Sequence, residues 1–233
     1  MSEHTRVVAV AENLTADALH RLLDLAIQGR GRLTGAKVSA RQFLQDRRDP
    51  ESAISALVNQ HVAMAGGQGL LTNWGGLFVS VVTVPANLAA ATFVQARMVA
   101  GIAHLRGYEL ADPRVRTAIL MVLLGPTTTT ALIEDGTLPS SAAAVATAPV
   151  FDAALDQAVT TALRDHVLSQ LSGKRLGVLV GKRIPLIGGG VGAAVDGWAT
   201  YTIARHALEE FVSRRPRLPR RQADQAGPGP EGA

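Results

Sequence analysis

Apolar residues recur along this chain mainly at three- and four-residue spacing, the period of helices that bury one face. Leu19, Leu22, Leu23, Ala26 and Ile27 form the first such stripe, opened by Asn13-Leu14-Thr15 and closed by Gly29. A Thr at the start satisfies an otherwise unpaired N–H, and a Gly at the end accepts the turn that stops a helix. Ser39 and Gln42 have capping-box spacing. Asp49-Pro50-Glu51 reads as N-cap, first-turn proline and first-turn acid, and predicts a helix to Gly66. Asp112-Pro113 repeats the device for a helix that meets Gly125-Pro126. Further helices are expected from Pro85, from Val150 to Leu171 with closure near Gly173, and from about Pro185 to Val212. The Thr-, Ser- and Ala-rich stretch between Pro126 and Pro149 is expected to be loop, with one helical turn over Ala131 to Glu134.

The fold expected is all-α. A compact multi-helix domain over residues 13–212 would carry two Gly/Pro-interrupted apolar helical hairpins, between a short tail at 1–12 and a basic, Pro/Gly-rich disordered tail at 213–233. The alternative is an α/β fold with a small sheet. It rests on the β-branched run from Phe78 to Val84, with Arg6 to Val10 and Gly177 to Val180 as further strands. No hairpin turn chemistry bounds these runs.

Composition sharpens the picture in one direction. Charged residues make up 18% of the 233 residues and hydrophobic ones 47%, against about 25% charged in an ordinary soluble protein. From Val62 to Ala96 there is no charged side chain at all. Gly66, Gly67, Gly69, Asn73, Gly75, Gly76 and Pro85 break that run into pieces. Pieces of about 10–14 residues are more often core helices or re-entrant segments than bilayer spans, which need about 20. Gly173, Gly177 and Gly181, then Gly188 and Gly192, then Gly189, Ala193 and Gly197 recur every fourth residue. On a helix each series is a stripe without side chains, which admits a neighbouring backbone in lipid or in a tight soluble core.

The absence of cysteine rules out disulfides, Cys-ligated zinc and thiol chemistry. The N-terminal residues lack the basic region of a signal peptide, so cytoplasmic synthesis is expected. No catalytic or metal-binding residues and no cofactor are expected, because the enzyme motifs fail on spacing. Gly177-Val178-Leu179-Val180-Gly181-Lys182-Arg183 has one residue too few for a phosphate loop and no Ser or Thr for magnesium. The histidines form no HExxH pair, and there is no GxSxG elbow.

Two groups of side chains remain as candidates for binding. Asn87, Gln95, Arg97 and Asp196 are polar residues among apolar neighbours on expected helices. They read either as a ligand-orienting cluster or as an internal hydrogen-bond network that sets helix register. Asp196 needs a cation, and Arg97, Lys182 or Arg183 is the expected partner. Lys174, Arg175, Lys182 and Arg183, with Arg214, Arg215, Arg217, Arg220 and Arg221 of the tail, suit an anionic membrane surface or simply a solvated one. Nucleic acid is not expected as a partner, since no aromatic residues interleave with the arginines to stack on bases.

Gly66-Gly67-Gln68-Gly69-Leu70, Gly75-Gly76-Leu77, Val84-Pro85-Ala86-Asn87-Leu88, Gln95-Ala96-Arg97-Met98-Val99 and Ile102-Ala103 come in an order that resembles the EcsC protein family. The resemblance continues through Gly107-Tyr108-Glu109-Leu110, Asp112 to Arg116 and Leu123-Leu124-Gly125, and resumes over Lys182 to Ala193 and at Asp196. The Thr-rich stretch after Gly125 and the arginine tail depart from it. The apolar hairpins and basic flanks point to a non-enzymatic accessory protein of a transport or envelope process at the inner face of the membrane, and the resemblance implies a bacterial, membrane-associated family named after a gene beside an ABC transporter. It brings no catalytic residues. Its implied partners are membrane lipids or a membrane transport protein. The alternative from the residues themselves is a soluble carrier that holds a lipid or other apolar ligand between the Gly-rich helices.

Overall fold

The computed structural model describes residues 15–30, 33–74, 80–181 and 188–214. Their elements are α1 (Ala16–Gln28), a two-residue pair β1 (Gly29–Arg30) and β2 (Leu33–Thr34), α2 (Ala36–Arg47), α3 (Pro50–Trp74), α4 (Ser80–Leu105), α5 (Pro113–Val122), α6 (Pro126–Glu134), α7 (Ala142–Thr147), α8 (Ala153–Gly181) and α9 (Gly188–Glu210). The all-α expectation holds among the described residues, because β1 and β2 form only a minimal antiparallel link between two helices. The runs proposed for a larger sheet are helical where described: Ser80 to Val84 opens α4, and Gly177 to Val180 lies within α8. Arg6 to Val10 lie outside the described residues.

The helix starts follow capping chemistry. Thr15 accepts from Ala18 N at 3.2 Å, Asp49 from Ser52 N at 2.8 Å, and Asp112 from Arg114 N at 2.9 Å. Ser39 does not open a helix as its spacing suggested. It is buried inside α2, whose N-cap is Gly35. The expected loop between Pro126 and Pro149 instead holds α6 and α7, with Ser141 capping the latter at Ala144 N. Helices also run through glycines expected to stop them. α3 continues past Gly66 to Trp74, and α8 past Gly173 to Gly181. α4 begins before Pro85.

α4 is the central element. It packs against α1, α2, α3, α5, α8 and α9, and Met98, Val99, Ala100, Ile102 and Ala103 are all buried, as befits a helix surrounded by others. Gly101 admits Leu57 of α3 at its bare face. α3 runs antiparallel to α4, with Leu57 beside Gly101 and Glu51 paired to Arg106 at 2.8 Å. α9 runs alongside α4 in the same direction: Thr200 meets Gln95, and Arg214 N donates to Arg106 O at 2.8 Å. Val62 of α3 lies 3.8 Å from a Cβ placed on Gly197 of α9. The uncharged half of α3 and the first halves of α4 and α9 therefore point to one end of the bundle.

Among the described residues no single helix is long and apolar enough to cross a membrane. α5 and α6 qualify together, but they meet at 107°, and Thr117 to Val122 are buried core.

Candidate functional site

Helical spacing on α3 places Ile54, Leu57, Val58, His61 and Ala65 on one buried face. Leu57 fills the space at Gly101, and one turn further on His61 comes opposite Arg97, which lies one turn before Gly101 on α4. His61 is 0% exposed. Its Nδ1 lies 2.8 Å from the Leu57 carbonyl. A carbonyl only accepts, so Nδ1 carries the proton and Nε2 presents a bare lone pair. That Nε2 is buried and has no hydrogen-bond partner, and the same is true of Arg97 Nε–H. Burial pushes the His61 pKa down to about 4, against the support of the Leu57 carbonyl, and the Arg97 charge pushes in the same direction as burial. Burial also lowers the pKa of the Arg97 guanidinium. Among the described residues Arg97 has no ion-pair partner.

The polar residues singled out in the sequence do not converge on one point. Gln95 is two positions from Arg97 and so faces another way, donating to Thr200 Oγ1 on α9 at 3.5 Å. Asp196 is half-buried on α9, one turn before Thr200, and is engaged. It makes no ion pair with Arg97. The Asn87 side chain lies outside the described residues, as do Lys182 and Arg183, the other cations expected to pair with Asp196. Lys174 and Arg175 belong to the backbone of α8, and their side chains are likewise outside the described set. Arg215, Arg217, Arg220 and Arg221 also fall outside it. Arg214 is exposed, and its guanidinium carbon sits 5.3 Å over the Tyr108 ring. That ring meets Phe211 edge-on at 5.0 Å.

In the sequence His61 is a lone histidine in an apolar stripe at helical spacing, a pattern that reads as core. Trp198 and Tyr201 likewise carry no sequence signal that separates an exposed ring from a buried one. These two lie on the outer face of α9 with ring centroids 6.1 Å apart, and Trp198 is 71% exposed. Val195, one turn earlier, is exposed as well.

A second polar cluster joins residues far apart in sequence. Asp156 of α8 accepts from Thr117 of α5 at 2.5 Å through Oδ1 and pairs with His20 of α1 at 3.0 Å through Oδ2. Thr160 donates to the Asp156 carbonyl at 2.7 Å. Thr117 also faces a cavity of about 640 Å³, walled by Arg114, Val145, Val150, Phe151 and Leu155. Arg114 is committed to Asp112 and to the Ala148 carbonyl. Both Asp156 oxygens are occupied, so the cluster clamps three helices and offers no free base. The D156A variant is expected to lose about 1 kcal/mol of stability, the worth of the lost inter-helix hydrogen bonding, because the Thr117 hydroxyl can still donate to Pro113 O at 3.1 Å and His20 keeps Thr160 beside it. Chemical denaturation of the variant beside D165A, which alters an exposed carboxylate, checks this.

No group of three or more His, Asp or Glu among the described residues has the geometry to hold a metal ion. A model of the EcsC protein family matches residues 12–215, which is nearly the whole helical body. The chain belongs to the EcsC protein family. No curated protein and no solved structure matches it. Family membership fits the order of glycine, proline and arginine blocks along α3, α4 and α9, and assigns no chemistry to His61 or Arg97.

Proposed function

We propose that this EcsC-family chain works at the inner face of a membrane, as a non-enzymatic accessory protein of a transport or envelope process. The observation that carries the reading is the exposed Trp198–Tyr201 pair on α9. Large aromatic rings left in water cost free energy, and both types are enriched where one side of a ring meets lipid and the other meets water. The pair follows the glycine-rich start of α9, and the neighbouring Gly197 packs near Val62, where the uncharged stretch of α3 begins. An apolar end bordered by interfacial aromatics is the arrangement of a protein that enters a bilayer shallowly. The basic residues Lys174, Arg175, Lys182 and Arg183, together with the arginine tail, supply attraction to anionic headgroups.

Fluorescence tests the reading directly. The chain has two tryptophans, Trp74 and Trp198, so a W74F variant reports Trp198 alone. Its emission is expected to shift to the blue on mixing with vesicles rich in phosphatidylglycerol. W198S/Y201S is expected to weaken vesicle binding about tenfold. Unchanged emission, together with equal sedimentation of both proteins with vesicles, would reject the membrane role of this face.

A further inference from the structure

Beyond that reading, and independently of the aromatic face, we infer that Arg97 and His61 form a binding site for a phosphate-monoester group. The argument is one of complementary vacancies. Arg97 Nε–H is a buried donor without an acceptor, and His61 Nε2 is a buried acceptor without a donor. The two lie on facing turns of α3 and α4, near enough for the arginine charge to act on the imidazole. Leaving both unmade costs about 1–3 kcal/mol for each group, so the arrangement favours a species that answers both at once. Such a species must accept from the guanidinium, donate to the imidazole and bring negative charge to a cation with no ion pair among the described residues. A phosphate monoester carries P–O⁻ and P–OH on the same atom and does all three. A phosphodiester lacks the hydroxyl and leaves His61 Nε2 unanswered.

His61 is held for this task. Its Nδ1–H is tied to Leu57 O at 2.8 Å, which fixes both the tautomer and the ring orientation. Gly101 lets Leu57 seat deeply against α4, so the two helices lie close at this level. Arg97 is half-buried rather than sealed, leaving its guanidinium a route to solvent. Gln95, on the neighbouring face of α4, is already bonded to Thr200 and braces α9 against the same helix.

The test uses the full chain with His61 labelled for nitrogen NMR. Two probes are added, inorganic phosphate and the soluble lipid dioctanoyl phosphatidic acid, with dioctanoyl phosphatidylcholine as the diester control. Binding of a monoester is expected to move the His61 Nε2 resonance towards its hydrogen-bonded or protonated position, while the diester leaves it in place. R97Q is expected to weaken that binding about tenfold or more, the worth of one charge-assisted hydrogen bond. R97K, which keeps the charge, is expected to lose less. R97Q should fold, because it removes a half-buried charge that has no ion pair. H61Q provides a second check by affinity alone. A response to phosphate identifies a free-anion site, and a response confined to the phosphatidate identifies a lipid headgroup site. A His61 resonance that moves with neither probe, or monoester binding that R97Q leaves unchanged, would overturn the inference.

Discussion

G35A is expected to lower the stability of this protein by about 3 kcal/mol, the upper range for forcing an extra carbon into a packed site. The cause is space, since Gly35 has φ −70° and ψ 161°, which any residue adopts. A Cβ there would lie 2.4 Å from the carbonyl carbon of Gln28 and 2.5 Å from the oxygens of both Gln28 and Ile27. Those atoms are backbone at the end of α1, and no rotamer change relieves them. The β1–β2 pair returns the chain so tightly that the start of α2 lies on the end of α1. Alanine would therefore push apart two helices that both pack on α4. G67A is the contrast. Nothing lies within 4 Å of a Cβ at that helical position, so alanine is expected to stabilise by up to about 1 kcal/mol. Thermal unfolding distinguishes them, with about 2–4 °C expected for each kcal/mol in a chain of this size. Equal midpoints for G35A and the parent would mean that the α1–α2 junction is looser than its geometry.

Acidification is expected to weaken the fold through His61, by about 3 kcal/mol in full. The unfolded chain protonates this imidazole below pH 6.5, whereas the folded protein holds it neutral down to about 4. In that window the unfolded state binds more protons, so stability falls as pH falls, and the loss is complete below the folded value. The magnitude follows from the separation of the two values at about 1.4 kcal/mol per unit. Burial lowers the pKa of His206 and His166 as well, which adds to the acid loss in the same direction. H61Q separates the contributions. Denaturation from about pH 7 to about pH 4 should show a steeper decline for the parent than for the variant. Parallel curves would mean that His61 is protonated in the folded state without cost.

Helix chemistry was legible wherever it was local. Thr15, Asp49 and Asp112 cap the helices their positions suggested, because a cap and its N–H partner are two or three residues apart. Gly29 closes α1 with φ 75° for the same reason. Intrinsic preference misleads at the glycines and β-branched residues of this chain. Gly66 and Gly67 do not end α3, because that helix packs along α4 and α9, and Ser80 to Val84 open α4 rather than form a strand. Helix propensity differs by about 1 kcal/mol per residue, and tertiary burial readily exceeds that. Gln95 and Arg97 are both polar residues on one helix, yet two positions apart they point different ways, and only Gln95 reaches Thr200.

The sequence by itself determined the helical class, the main caps, the EcsC family and the uncharged segment between Val62 and Ala96. Each depends on residue type, on spacing within a few turns, or on the order of motifs, and all of these survive without a fold. Only the tertiary structure decided that His61 and Arg97 lie on facing turns of α3 and α4, each with a buried group unfilled. The same is true of Asp156, which joins Thr117 and His20, and of Trp198 and Tyr201, which stay outside the core. Those outcomes depend on which helix faces cover one another, and that is set by the packing of α3, α4 and α9 as a whole.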